Sequence, residues 1–150
     1  MPRLSNISIE GFRSIASAKV ELKSLNVFIG ANGAGKSNLI GFLQLLNFAL
    51  SRGLQNYVQT RGPASALLHF GPKVTPVLRA AVEFQTDSGR NEYRCTLTHA
   101  QGDTLIFSHE EVEYHAAGFP QPKVVPLGSG GHRESGLAEP WSENDPTSKV

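Results

Sequence analysis

The sequence of 150 residues has one cysteine, one methionine and one tryptophan, and it has no long run of apolar residues. A single cysteine excludes an internal disulfide and is typical of a protein in a reducing compartment. No apolar run reaches the roughly 18 residues of a membrane-spanning helix. The N-terminus lacks the charged and then apolar pattern of a secretory signal. We therefore expect a cytoplasmic protein without a membrane span.

The chain also lacks a strong charge of either sign, since 14 Lys and Arg residues balance 13 Asp and Glu residues. A balanced chain has no overall basic field that would argue for nucleic-acid binding. Its length is that of one domain and suffices for a hydrophobic core.

What the chain does contain is a complete G-x-x-x-x-G-K-S loop, GANGAGKS, at residues 30–37. Such a loop binds phosphate when it follows a strand and opens a helix. Residues 25–29 predict a short buried strand, and apolar residues spaced by three and four predict a helix over residues 36–52. The sequence therefore predicts a nucleotide site at the start of this helix.

Each motif residue has a chemical reason to be there. Gly30 and Gly35 allow backbone conformations that a side chain forbids, and the loop then turns its N–H groups toward an anion. Lys36 can reach the β- and γ-phosphates, and the hydroxyl of Ser37 can ligate Mg²⁺. The amide of Asn32 can face the γ-phosphate.

Strand patterns flank this loop on both sides. Residues 4–10 and 17–22 predict a hairpin before it, whereas residues 54–73 show no clean period apart from one or two helical turns at residues 64–69. An antiparallel meander is predicted over residues 77–116, with strands at 77–85, 92–98, 104–108 and 111–116. Cys95 lies in one of these strands, where we expect a small buried hydrophobe.

The sequence predicts an α/β fold of the P-loop NTPase type, with the antiparallel meander, over residues 1–117. Residues 118–150 are rich in Pro, Gly and Ser, so we expect a linker or a disordered tail there. Within this tail, Trp141 is expected to be an exposed aromatic, or else to dock the tail locally.

Two stretches carry a resemblance to a known family. Residues 6–14, NISIEGFRS, and residues 25–39, LNVFIGANGAGKSNL, resemble the N-terminal lobe of RecF/SMC-type ABC ATPases, in particular bacterial proteins described as "predicted ATPase, AAA family". Residues 67–73 and 127–137 are similar more weakly. The resemblance implies binding of ATP and Mg²⁺, head-to-head dimerisation around two nucleotides, and a role in DNA repair or phage defence, with DNA as a partner.

The resemblance also implies which residues contact the nucleotide. They are Gly30, Ala31, Asn32, Gly33, Ala34, Gly35, Lys36, Ser37 and Asn38, with Ser37 on Mg²⁺. Arg13 matches a basic residue close to the nucleotide, although a solvated turn residue is the alternative. Arg61 stands where such proteins place an arginine near ATP and DNA, the alternative being a plain loop cation.

The parts needed for hydrolysis are not found. This fold requires an Asp at the end of an apolar strand, followed by a Glu that activates water. Residues 105–111 have no Asp and sit inside the meander, and residues 127–131 lack the helical sequence that follows a signature loop. We therefore expect no catalytic residue here, and an ATPase activity only with a separate C-terminal lobe or a second chain. The alternative is a non-catalytic nucleotide-binding or interaction module from a truncated gene.

One further cluster has metal-ligand chemistry. His109, Glu111, Glu113 and His115 alternate, so a strand would place them on one face. Such a set can ligate a metal, but a solvated polar face is the expected reading.

Overall fold

A computed structural model describes residues 2–138 and shows a six-stranded sheet with three helices. The elements in chain order are β1 (Arg3–Phe12), β2 (Ile15–Glu21), α1 (Lys36–Leu50), α2 (Leu54–Arg61), α3 (Ala64–Leu67), β3 (Val77–Thr86), β4 (Gly89–Ala100), β5 (Thr104–Ala116), β6 (Lys123–Pro126) and a 3₁₀ turn (Gly136–Ala138). None of the described helices is long and apolar enough to cross a bilayer.

The sheet is antiparallel throughout, in the order β2-β1-β3-β4-β5-β6. Ile7 in β1 shows how the register is set, because it pairs with Val20 on one side and Val82 on the other. Cross-strand contacts between β-branched residues stabilise such pairs. The predicted mixed α/β fold with an antiparallel meander is confirmed.

The helices lie on one face of the sheet, where alternate apolar side chains of the strands form the core. Phe12 of β1 meets Phe42 of α1 with ring centroids 5.8 Å apart and planes at 68°, an edge-to-face contact. The opposite face is polar and charged. This two-sided character is why the strands alternate in sequence.

Strand β5 differs from the prediction of two separate strands. It runs unbroken, but Thr96 pairs with His109 while the next residue, Leu97, pairs with Phe107. Ser108 is therefore the extra residue of a β-bulge. The bulge shifts the alternation by one residue, which reads in sequence as a break between strands.

Residues 25–29 do not form the buried strand that the apolar pattern predicted. They have no strand assignment, and Leu25 is 82% and Ile29 92% exposed. A strand needs neighbours for its N–H and C=O groups, and no strand of the described residues pairs with this segment. The prediction of a buried strand here is wrong for this structure.

Helix α2 was missed in a region without a clean period. Its buried residues are Leu54, Tyr57 and Val58. They show the helical spacing of three and four only once in eight residues. One occurrence of this spacing is too few to distinguish a helix from a loop by periodicity.

The predicted linker or tail also differs from the structure. Its first part forms β6, where Val125 pairs with Val112 of β5, and continues to the 3₁₀ turn. Glycine serves close packing here, since a Cβ on Gly130 would lie 2.8 Å from the carbonyl oxygen of Ser108. Residues 139–150, with Trp141, lie outside the described residues.

Candidate nucleotide-binding site

The glycine loop reaches helix α1 through two residues in the left-handed region. Gly33 has φ 88° and Gly35 has φ 91°. The prediction for Gly35 agrees with this geometry, but Gly30 does not have a positive φ. Its reason is close approach instead, because a Cβ on Gly30 would lie 3.1 Å from the Cβ of Ala34.

The loop encloses a shallow, open depression of about 350 Å³ at the N-terminus of α1. Its lining residues are Asn32, Gly33, Gly35, Lys36, Ser37 and Asn38. No side chain caps this helix end, and its first turn has no acidic residue. Helix N-terminal N–H groups carry partial positive charge, so the depression favours an anion.

Lys36 lies folded over the loop. Its ammonium donates to the carbonyl oxygens of Gly30, at 2.5 Å, and Ala31, at 2.8 Å. A phosphate oxygen can replace these carbonyl oxygens, because an anionic acceptor binds the ammonium more strongly than a neutral one. The lysine is thus held beside the anion-favouring helix end.

Metal binding at this loop would start from the hydroxyl of Ser37, a residue that lines the depression. Within residues 2–138 no group of three His, Cys, Asp or Glu side chains is arranged to hold a metal. A magnesium ion here would take its remaining ligands from phosphate oxygens and water, which Mg²⁺ accepts readily.

The turn between β1 and β2 docks on the same helix end. Asn38 donates from Nδ2 to the hydroxyl of Ser14 at 2.6 Å. The amide of Asn38 is therefore engaged with the hairpin, although sequence reasoning expected it at the nucleotide. Sequence reasoning also assigned no role to Ser14, and the only signal was its position in the GFRS turn.

Arg13 and Arg61 come together on one side of α1. Nη1 of Arg13 lies 3.3 Å from where a Cβ on Gly41 would stand, and Nη2 donates to the carbonyl oxygen of Arg61 at 3.5 Å. Among the described residues neither arginine forms an ion pair with a carboxylate. The guanidinium of Arg13 adds positive charge beside this helix, where it meets the backbone carbonyl of Arg61.

Tyr57 of α2 lies beneath these arginines. Its hydroxyl donates to the carbonyl oxygen of Gly41 at 3.0 Å in a buried position. Burial raises the pKa of Tyr57, while the charges of Arg13 and Arg61 act in the opposite direction. The neutral tyrosine can therefore act as a donor to α1.

The two segments that sequence reasoning rejected as hydrolytic parts lie away from the loop. Leu105 and Phe107 are core residues of β5, and Glu110 accepts bonds from Tyr93 and His132 at 2.7 and 2.8 Å. The segment 127–131 lies along β5. No acidic residue from either segment lines the depression.

The alternating histidines and glutamates form a charged sheet face. Arg94 binds Glu92, Glu111 and Glu113 at 2.8, 3.2 and 2.9 Å, and these bonds raise its pKa. His109 lies 3.0 Å from Glu111. Because arginine occupies the carboxylates, the face is an ion-pair network.

Cys95 is buried on the helix side of the sheet. Burial raises the pKa of its thiol to about 12, so the thiolate needed for nucleophilic or redox chemistry is scarce at neutral pH. The structure supports the expected structural role.

Comparison with known families places the loop and its neighbours in context. Residues 3–64 match the model of a family described as the AAA ATPase domain. These residues are therefore similar to part of an ATPase domain. The resemblance predicted from the sequence is confirmed there. The matched portion holds the β1–β2 hairpin, the glycine loop, α1 and α2, so nucleotide binding in an ATPase family is supported.

Among solved structures, one similar chain comes from work on the "structural biochemistry of ATP-driven dimerization and DNA stimulated activation of SMC ATPases". It is 23% identical, with a TM-score of 0.48, and the match covers 77% of this chain and 69% of that chain. No curated protein sequence matches this chain significantly.

Proposed function

We propose that the chain binds Mg²⁺-ATP through residues 30–38 as the N-terminal lobe of a RecF/SMC-like ATPase. The observation that carries the proposal is the position of Lys36. Its ammonium lies on the carbonyl oxygens of Gly30 and Ala31, beside an uncapped helix N-terminus. A lysine point charge and a helix N-terminus together favour a polyphosphate.

In this proposal the loop N–H groups hold the phosphates and Lys36 moves from the loop carbonyls to the β- and γ-phosphate oxygens. Ser37 ligates Mg²⁺, and Asn32 faces the γ-phosphate. The guanidinium of Arg13 lies beside α1, in contact with the carbonyl of Arg61, and in this proposal both arginines compensate further negative charge. All of this is binding by positioning and electrostatics.

Hydrolysis belongs to a second lobe or a second chain in the same proposal. The support is the exposed apolar segment 25–29, where Leu25, Val27 and Ile29 are 82%, 72% and 92% exposed. An apolar strand candidate with free backbone groups is suited to pairing with a parallel sheet supplied by that lobe. The resemblance to RecF/SMC-type ATPases also suggests a head-to-head dimer inside the cell. That dimer would act on DNA in repair or phage defence.

The test is calorimetric titration of Mg²⁺-ATP into the chain and into Lys36→Ala, with phosphate release followed in the same samples. We expect Lys36→Ala to weaken binding at least about tenfold, because a charge-assisted contact is lost. Neither protein should release phosphate.

The matched control is Lys19→Ala, which removes an exposed lysine from the charged sheet face. It should bind as tightly as the unchanged chain. Equal affinity in Lys36→Ala and Lys19→Ala would argue against the proposed site, and turnover by the chain alone would argue against the need for a second lobe.

A further inference from the structure

Residues 127–138, here called the strap, are fixed along strand β5 by backbone bonds. The N–H of Leu127 donates to the carbonyl of Glu110 at 2.8 Å. The N–H of Phe107 donates to the carbonyl of His132 at 2.9 Å, and that of Gly131 to the carbonyl of Phe107 at 2.7 Å. The strap therefore has one register on the sheet.

Side chains of the strap also close over the buried carboxylate of Glu110. His132 Nε2 lies 2.8 Å from one carboxylate oxygen, the Gly136 N–H donates to the same oxygen at 2.9 Å, and the Ser135 hydroxyl donates to the other. The His132 ring stacks on Phe107 at 5.0 Å. A buried carboxylate without donors is costly, and the strap supplies all of its donors except the hydroxyl of Tyr93.

The strap supplies the N-terminal cap of helix α2. The carboxylate of Glu134 accepts from the N–H of Leu54 at 2.8 Å and from that of Gln55 at 3.1 Å. The residue at the helix's own N-cap is Gly53, which has no side chain to do this. The cap therefore comes from 80 residues further along the chain.

Gln55 ties the same helix end to the sheet and the strap. Its side-chain amide donates to the carbonyls of Leu105, at 2.8 Å, and Arg133, at 2.9 Å. The orientation of α2 is thus set jointly by β5 and the strap.

Helix α2 in turn holds the helix of the glycine loop. Tyr57 donates to the carbonyl of Gly41 in α1 at 3.0 Å and packs on Phe48 with ring centroids 5.5 Å apart. At the other end of α2, the carbonyl of Arg61 accepts from Arg13. Gly41 is just over one helical turn from Lys36 and Ser37, so the contacts run without a gap from the strap to the loop.

We propose that Glu134 is a positioning residue of the nucleotide site: by capping α2 it sets the position of α1 and hence of the glycine loop. This inference rests on the proposed function, because it assigns to the strap an effect on the affinity of that same loop for ATP. A contiguous set of packed helices can transmit such an effect.

The experiment compares Glu134→Ala and Glu134→Gln in the full chain. Glu134→Ala should weaken ATP binding about fivefold, a typical size for coupling between sites. Glu134→Gln keeps one oxygen acceptor and should lose less. Amide hydrogen exchange should speed up at Leu54 and Gln55 and also in the first two turns of α1.

Two controls separate positioning from general destabilisation. Glu10→Ala removes a glutamate that pairs with Arg79 at 2.8 Å on the opposite face of the sheet. Val82→Ala removes core volume from strand β3. Measured well below each midpoint of thermal unfolding, both should keep the affinity for ATP and the exchange rates of α1.

The outcomes distinguish this inference from the proposed function. If the unchanged chain binds ATP, an unaltered affinity in Glu134→Ala with faster exchange at α2 overturns the positioning role. If the unchanged chain does not bind ATP, the proposed function fails. Amide hydrogen exchange in Glu134→Ala then decides whether Glu134 is coupled to α1. Faster exchange in α1 supports this coupling, and faster exchange confined to α2 overturns it.

Discussion

At the scale of single residues, Glu83 shows how hydrogen bonds hold a carboxylate in its ionised form. Glu83 accepts from Ser5 and from Asn6, each at 2.8 Å, and lies 3.3 Å from Arg90. The hydrogen bonds from Asn6 and Ser5, followed by the charge of Arg90, hold the pKa of Glu83 below its ordinary value. The ionised form is therefore the one that stabilises the fold.

This gives a prediction for the dependence of stability on pH. Because the pKa of Glu83 is lower in the folded than in the unfolded chain, its contribution is present above the unfolded value and is lost as pH falls through the folded value. The unfolding free energies of the unchanged chain and Glu83→Gln should therefore converge as pH falls from about 7 to about 3.

Urea unfolding at several pH values measures this difference. The matched control is Glu21→Gln, which replaces an exposed glutamate on the edge strand β2. Its unfolding free energy should show no convergence with that of the unchanged chain. A difference for Glu83→Gln that stays constant with pH would contradict the prediction.

At the scale of elements, the apolar pattern of the sequence does not match the observed burial at residues 25–29. The segment 25–29 and the strand β5 both carry apolar runs, yet Phe28 is 50% exposed and Phe107 is fully buried. The difference is the presence of neighbours: β5 pairs with β4 and β6, whereas the segment pairs with no described strand.

Two equal truncations should therefore have unequal costs. Phe107→Ala should lower the unfolding free energy by about 3–5 kcal/mol, the usual cost for a buried phenylalanine. Phe28→Ala should change it by no more than about 0.5 kcal/mol, as expected for a surface substitution. Denaturant unfolding of both variants, side by side, tests this, and a large loss for Phe28→Ala would mean that the segment is packed.

At the scale of the whole molecule, the strap joins parts that are far apart in sequence. It bonds to β5, closes over Glu110 and caps α2 through Glu134. Removing it would leave the carboxylate of Glu110 with one donor, Tyr93, and the first N–H groups of α2 without a cap. Both are recognised causes of large destabilisation.

A chain ending at residue 126 should therefore be less stable than one ending at residue 138. We expect a loss of about 3 kcal/mol or more, from the buried carboxylate and the lost cap together. Thermal unfolding of the two chains makes the comparison, and the strap is the only difference between them. Equal midpoints would show that the strap is not an integral part of the fold.

The sequence alone determined the features that depend on short spacing. The glycine loop, its helix, the hairpin of β1 and β2 and the meander all follow from local patterns, because turn chemistry and alternation act over a few residues. The sequence also indicates Arg13 and Arg61, but the contact between the Arg13 guanidinium and the Arg61 carbonyl is seen only in the structure. The loop residues remain predictions as nucleotide contacts.

Features that need a distant partner followed from the three-dimensional packing and not from local pattern. The cap from Glu134, the burial of Glu110 and the exposure of residues 25–29 depend on which strand or helix lies alongside, and no local pattern carries that information. The strap shows the reason: its Gly and Ser content suits a disordered tail and a closely packed segment alike. The donors and acceptors of β5 and α2 decide between the two.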